Sequence, residues 1–142
     1  MIRPFTDADL EAVLGVWHRA SLVAHSFLPD EFFDRERQEI ADLWLPAAET
    51  TVATTDDDHV AGFVSMLGNE VGAIFVDPDR QREGVGRALL DAVSASRPCL
   101  VLDVFEANAI GRRFYEAYGF EVVDRHLNDE IGHWELRLRF ER

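Results

Sequence analysis

The chain contains no lysine. All 14 of its basic residues are arginine, they face 27 acidic residues, and the formal net charge is −13. Such an excess of negative charge disfavours nucleic acid and anionic membrane surfaces as partners and favours a cationic one. Cysteine is nearly absent too. The single Cys99 excludes an internal disulfide and fits a cytoplasmic protein, and its place at the start of an apolar segment reads as a buried structural thiol. No apolar run approaches the roughly 18 residues that a membrane span needs. The opening Met1-Ile2-Arg3-Pro4-Phe5 has no signal-peptide pattern. Repeats, linkers and low-complexity tracts are missing as well.

What is present is 142 residues, 47% of them hydrophobic, which suits one domain over residues 1–142 with a real core. A short strand is expected at residues 2–5. Thr6 with Asp9 resembles a capping box, and Leu10, Val13, Leu14, Trp17 and Ala20 mark a helix to about residue 22. A break at residues 24–29 separates it from a second, acidic helix expected over about 30–45. Phe32, Phe33, Arg37, Ile40, Leu43 and Trp44 are expected to face partly inward there, and Pro46 ends it. Strands come next at 50–55, 60–67 and 71–76, with turns at Asp56-Asp57-Asp58-His59 and Gly68-Asn69. A helix over about 85–96, a strand at 100–105, a helix over 108–118 and two last strands, about 120–126 and 132–140, complete the chain. This order predicts an α+β fold, with a mixed sheet covered by helices.

Two segments carry chemistry. In the first, the strand ending at Val76 stops at Asp77-Pro78, and Gln81-Arg82-Glu83-Gly84-Val85-Gly86 leads into the helix that opens with Arg87. A helix N-terminus has unpartnered N–H groups and a positive dipole end, and glycines let a bulky anion come close. The loop is not a Walker A loop, because Gly86 is followed by Arg87-Ala88. It is not a Rossmann fingerprint either, because Leu89 stands where the third glycine belongs. The second segment is a strand, then Asn108, then a helix carrying Phe114-Tyr115 and ending in Gly119-Phe120. Asn108 and Tyr115 are seven residues apart, about two helical turns, and so share a face. Gly119 stands where a helix end favours a left-handed residue.

Gln-x-x-Gly-x-Gly before a helix resembles the acyl-CoA pyrophosphate loop of the GNAT (Gcn5-related) N-acetyltransferases, and the Asn…Phe-Tyr…Gly-Phe segment resembles the same family's second signature. Together they cover roughly residues 60–125 in the family's order. The short length and the Trp17–Phe27 segment look most like its small stand-alone bacterial members of the YjaB/YiaC type. The resemblance implies a three-layer fold with a mixed, mainly antiparallel sheet of about six to seven strands and about four helices. It also implies acetyl-CoA as acyl donor. The backbone of Ile74, Phe75 and Val76 would pair with the pantetheine arm. Gln81, Arg82, Glu83, Gly84, Val85, Gly86 and Arg87 would surround the pyrophosphate, and Asn108 would bond the arm or cap its helix.

Tyr115 matches the family's general acid, since a phenol near pKa 10 is reasonably matched to a departing thiolate near 8.5. The base that takes the amine's proton is open between Glu70, at the family's spacing before the loop, and His25, in the break between the first helices. Trp17, His25 and Phe27, with the carboxylates of the second helix (Asp30, Glu31, Asp34, Glu36, Glu39, Asp42), would wall a site for a cationic amine, either a small molecule or a protein lysine or N-terminus. Asp103 is notable as a carboxylate within an apolar strand. His126 and His133 flank Asp129-Glu130 without a recognised ligand spacing, so no metal is expected. The assembly is open between monomer and homodimer. The rival to an enzyme is a non-catalytic module that senses acyl-CoA.

Overall fold

The computed structural model describes residues 1–142 and contains one seven-stranded sheet, ordered β1-β2-β3-β4-β5-β7-β6. Its strands are β1 (Ile2–Pro4), β2 (Glu49–Thr54), β3 (Val60–Leu67), β4 (Glu70–Val76), β5 (Cys99–Phe105), β6 (Glu121–Asn128) and β7 (His133–Glu141). Every neighbouring pair is antiparallel except β4 and β5, which are parallel and paired at a single register position, Glu70↔Val101. Beyond that point the two strands diverge. The sheet is therefore continuous at the start of β4 and split at its end.

The helices are α1 (Leu10–Ala24), α2 (Asp30–Glu39), the single turn α3 (Leu45–Ala47), α4 (Val85–Ser94) and α5 (Ala109–Tyr118). α1 buries Val13, Leu14, Val16, Trp17, Ala20 and Ser21 along one stripe. Its entry is fixed by Asp9, which accepts the Thr6 N–H at 2.9 Å and both arms of the Arg3 guanidinium at 2.8 and 2.9 Å. The Arg3 partner holds that carboxyl well below the usual range, at about 2.

The second helix is not the uninterrupted α-helix that its pattern predicts. A π turn, Ile40–Trp44, separates α2 from α3, with the Leu45 N–H bonded to the Ile40 carbonyl. Pro46 has no N–H for the Asp42 carbonyl, and its ring crowds that carbonyl, so the ladder opens upstream of it. The extra residue rotates the downstream side chains about the helix axis. Leu45 is buried, whereas Leu43 is 63% exposed, contrary to its expected inward place; Arg37, upstream of the turn, is also exposed rather than inward, its guanidinium staying in water near Glu11 at 3.9 Å. Cys99, expected in the core, is only half-buried.

Alternation in the strands builds a core on each face of the sheet. Leu100, Leu102 and Val104 of β5 join Val64, Met66, Leu89, Leu90 and Phe120 under α4 and α5. Phe105 turns the other way, to Phe63, Trp17, Phe32 and Phe33 under α1 and α2. The expected class and architecture, a mixed and mainly antiparallel sheet with four multi-turn helices, are those observed.

Candidate active site

The split between β4 and β5 opens a cleft of about 890 Å³ that reaches from the α4–α5 face to the α1–α2 face. β4 contributes Ile74, Phe75 and Val76 to its wall, and β5 contributes Leu102 to Phe105. β4 has lost its partner here, so its main chain presents a free edge on the cleft side.

At the end of β4 the chain turns into the glycine loop. Arg82 (φ +70°) and Gly84 (φ +82°) both take the left-handed conformation, which folds the loop back over the start of α4. The Asp77 carboxylate holds the loop's base, accepting from the Asp79 N–H at 3.1 Å and pairing with Arg19 at 2.6 Å. The Gln81 amide donates to the Val76 carbonyl at 3.4 Å. No backbone N–H from Gln81 to Arg87 has an acceptor within the chain. A row of free N–H groups at the N-terminus of a ten-residue helix forms an anion cradle. The glycine at 86 is required by packing, because a Cβ there would lie 2.8 Å from the Phe114 ring of α5. Arg80, Arg82, Arg87 and Arg113 border this end. Of these, Arg80 and Arg113 are not singled out by the sequence pattern. Glu83 does not line the cleft but pairs with Arg80 at 3.7 Å.

Asn108 and Tyr115 both line the cleft, as their seven-residue spacing predicts. Asn108 is the N-cap of α5, its Oδ1 accepting the Gly111 N–H at 2.9 Å. Its Nδ2 lies 3.5 Å from His25 Nε2. Tyr115 is half-buried and its hydroxyl has no partner within the chain. Burial pushes the phenol above its usual range, so it carries its proton throughout the neutral region. Gly119 (φ +124°) ends α5 as expected.

On the other face of the sheet the cleft is lined by carboxylates: Glu36 and Glu39 from α2, Asp103 from β5 and Glu135 from β7. His25 lies between the two ends. It is 8% exposed and caged by the ring edges of Phe27, Phe75 and Phe105. Burial lowers it to about 4, so it is neutral, and its Nδ1 has no partner. Trp44 lines the cleft, as expected, and its indole packs on Gly72 of β4, where a Cβ would fall 2.1 Å from the ring.

Three expected residues stand elsewhere. Glu70 is outside the cleft lining, and both of its oxygens are held by Arg137 at 2.6 and 2.7 Å, which turns the carboxylate toward β7. Trp17 is wholly buried behind the acceptor wall and donates its indole N–H to Glu36 at 3.0 Å. Phe27 packs on His25, Phe105 and His133 and does not line the cleft. Composition alone counts Glu36 only among the carboxylates of an acidic helix. The signal that singles it out is spacing, since Phe32, Phe33, Glu36 and Ile40 share the inward face of α2. Asp103, His126 and Glu135 bring ligand atoms within 4.8 Å of one another, but Arg137 lies 3.5 Å from Asp103 and competes with any cation there.

The family model described as an acetyltransferase (GNAT) domain matches residues 46–122. The peptidyl-lysine N-acetyltransferase YjaB of Salmonella typhimurium is 33% identical, with 92% of this chain and 90% of that protein covered. The peptidyl-lysine N-acetyltransferase YiaC of Escherichia coli is also 33% identical, over 92% and 89%. The solution structure of apo YjaB from Escherichia coli superposes with a TM-score of 0.89 at 30% identity, covering 99% of this chain and 96% of that one. No helix is long and apolar enough to cross a membrane. The two sequence signatures, the split sheet and these relatives agree: the chain is an acyltransferase and belongs to the GNAT family of N-acetyltransferases.

Proposed function

We propose that the enzyme moves the acetyl group of acetyl-CoA to a primary amine on a cationic acceptor, a protein lysine foremost, by direct attack in a ternary complex. The observation that carries this reading is the polarity of the cleft. Arginines and free N–H groups border one end, and Glu36, Glu39, Asp103 and Glu135 line the other. An anionic donor and a cationic acceptor are drawn to opposite mouths of one passage. The names of the relatives, peptidyl-lysine N-acetyltransferases, support the same acceptor class.

The loop from Gln81 to Arg87 holds the pyrophosphate with backbone N–H groups, and Arg82 and Arg87 add charge. The pantetheine arm pairs with the free edge of β4 at Ile74–Val76, and the thioester lies near Asn108. The amine enters from the α2 side and loses a proton to water among the carboxylates there. Glu70 is tied to Arg137, and His25 is caged by Phe27, Phe75 and Phe105 with Asn108 at its Nε2, so neither is assigned that proton. The nitrogen lone pair attacks the thioester carbonyl, the C–S bond breaks, the Tyr115 hydroxyl gives its proton to the sulfur, and the surplus proton on the new amide nitrogen passes through water to restore the phenol. A purely sensing module has no use for a proton-bearing phenol without a partner in the cleft. The test is calorimetric titration with acetyl-CoA followed by CoA-thiol release against lysine peptides, N-terminal peptides and small polyamines. Tight binding with release by a basic acceptor is expected. Binding with no release by any amine would overturn the reading.

A further inference from the structure

We infer that Glu36 is the residue that receives the ammonium group of the acceptor, an assignment that rests on the amine-acetyl transfer proposed above. Glu36 is one turn beyond Phe32 on the inward face of α2, and so its carboxylate turns into the cleft rather than toward solvent. Oε1 accepts the Trp17 indole N–H at 3.0 Å. Trp17 is wholly buried in the core under α1, so it holds the carboxylate in a fixed orientation. Oε2 has no partner within the chain. A half-buried carboxylate with one neutral donor and one oxygen open to the cleft has room for a further partner, and a cation is the partner that matches its charge.

The protein's own cations are committed elsewhere. Arg35, on the same helix, pairs with Glu130 of the β6–β7 turn, and Arg137 of β7 is taken by Glu70 and Asp103. The other titratable groups lining this part of the cleft are Glu39 from α2, Asp103 from β5, Glu135 from β7 and the neutral His25 that follows α1. None supplies positive charge. The walls beside Glu36 are Ala20, Ala24, Phe32, Ile40 and Trp44. Apolar cleft lining together with a carboxylate oxygen free of protein partners fits a methylene stem with a terminal ammonium, as a lysine side chain has. Burial raises Glu36 to about 6, so the site holds a cation only above that pH.

The experiment measures kcat/KM for a blocked single-lysine peptide between pH 5 and 9 in the wild-type enzyme, Glu36→Gln and Trp17→Phe. In the wild type, log kcat/KM rises by about one per pH unit, because the amine must lose its proton, and steepens below about pH 6 as Glu36 protonates. Glu36→Gln keeps the Trp17 bond but loses the charge. It raises the acceptor KM roughly ten- to hundredfold, removes the steeper limb and leaves acetyl-CoA affinity unchanged. Trp17→Phe removes a donor that favours the charged form, and so moves that limb to higher pH, a shift that a packing defect alone does not produce. An unaltered acceptor KM and an unaltered acidic limb in Glu36→Gln would overturn the assignment while leaving amine transfer standing. Failure of the wild-type enzyme to acetylate any amine would remove both.

Discussion

At one end of the cleft a ligand meets main chain; at the other it meets side chains. The donor end is a local construction. One uninterrupted stretch, Ile74 to Arg87, supplies the free strand edge, the left-handed turn and the helix start. The acceptor end is assembled from α2, the π turn, β5 and β7, which are far apart in sequence. A contiguous site keeps its geometry through backbone conformation, so it tolerates changes in most side chains but few in its glycines. A dispersed site depends on which side chains happen to converge. The comparison teaches how one fold can hold its donor fixed while its acceptor varies.

The largest effect expected comes from the residue that joins the two ends. Tyr115→Phe deletes the proton donor and leaves both binding ends whole. Turnover should fall roughly hundredfold or more, the range for losing a general acid, while calorimetry shows unchanged acetyl-CoA affinity. A variant that keeps its turnover would show that the thiolate finds its proton elsewhere.

Two glycines separate the ends. Gly86→Val pushes a side chain into the Phe114 ring, where a Cβ already lies at 2.8 Å, and lifts the start of α4 from α5. Overpacking of this kind costs about 1–3 kcal/mol of stability, and displacement of the N–H cradle should lower acetyl-CoA affinity by roughly tenfold or more. Gly72→Ala displaces the Trp44 indole instead. It should raise the acceptor KM and leave acetyl-CoA binding as it was. Calorimetry for the donor and initial rates for the acceptor read the two separately. If each variant damages both affinities alike, the two ends are not independent.

The same division explains what the sequence revealed. The loop and the Asn108–Tyr115 helix were legible because their chemistry needs particular residues at fixed spacing along one stretch of chain. The seven strands and the order of the helices were legible from alternation and periodicity. The acceptor side was not, because periodicity presumes an unbroken helix. The π turn before Pro46 turned Leu43 out and Leu45 in. Glu70 matched a spacing, but its ion pair with Arg137 joins residues 67 positions apart and leaves no trace in local sequence. Trp17 has the aromatic character of a site wall and is instead the support behind one. Glu36 is marked out by its place between Phe32 and Ile40.

The smallest effect is in stability, and it also belongs to the acceptor side. His25 is held down to about 4 from 6.5 by burial, and Glu36 is raised to about 6 from 4.5 by burial. Between pH 6.5 and 4 the unfolded chain binds a proton at His25 that the folded one refuses, so this group's stabilisation is complete above 6.5 and is lost as pH falls toward 4. Glu36 has the opposite sign. Its folded form binds a proton more tightly, so its contribution is fullest below 4.5 and is lost as pH rises through 6. From pH 7 to 4.5 the first removes about 2.5 kcal/mol and the second restores about 1.5, leaving a net loss of about 1 kcal/mol from the pair. Asp9, at about 2, titrates below this window. Denaturant unfolding of the wild type should therefore change little from these groups over that range. Glu36→Gln unmasks the His25 slope, and the variant should lose about 2.5 kcal/mol on acidification from pH 7 to 4.5. His25→Phe should instead gain stability as pH falls. At the donor end, burial holds the Tyr115 phenol protonated throughout this window. A Tyr115→Phe protein should therefore follow the wild-type pH profile. If it departs from that profile as far as Glu36→Gln does, the pH response belongs to the whole cleft rather than to its acceptor end.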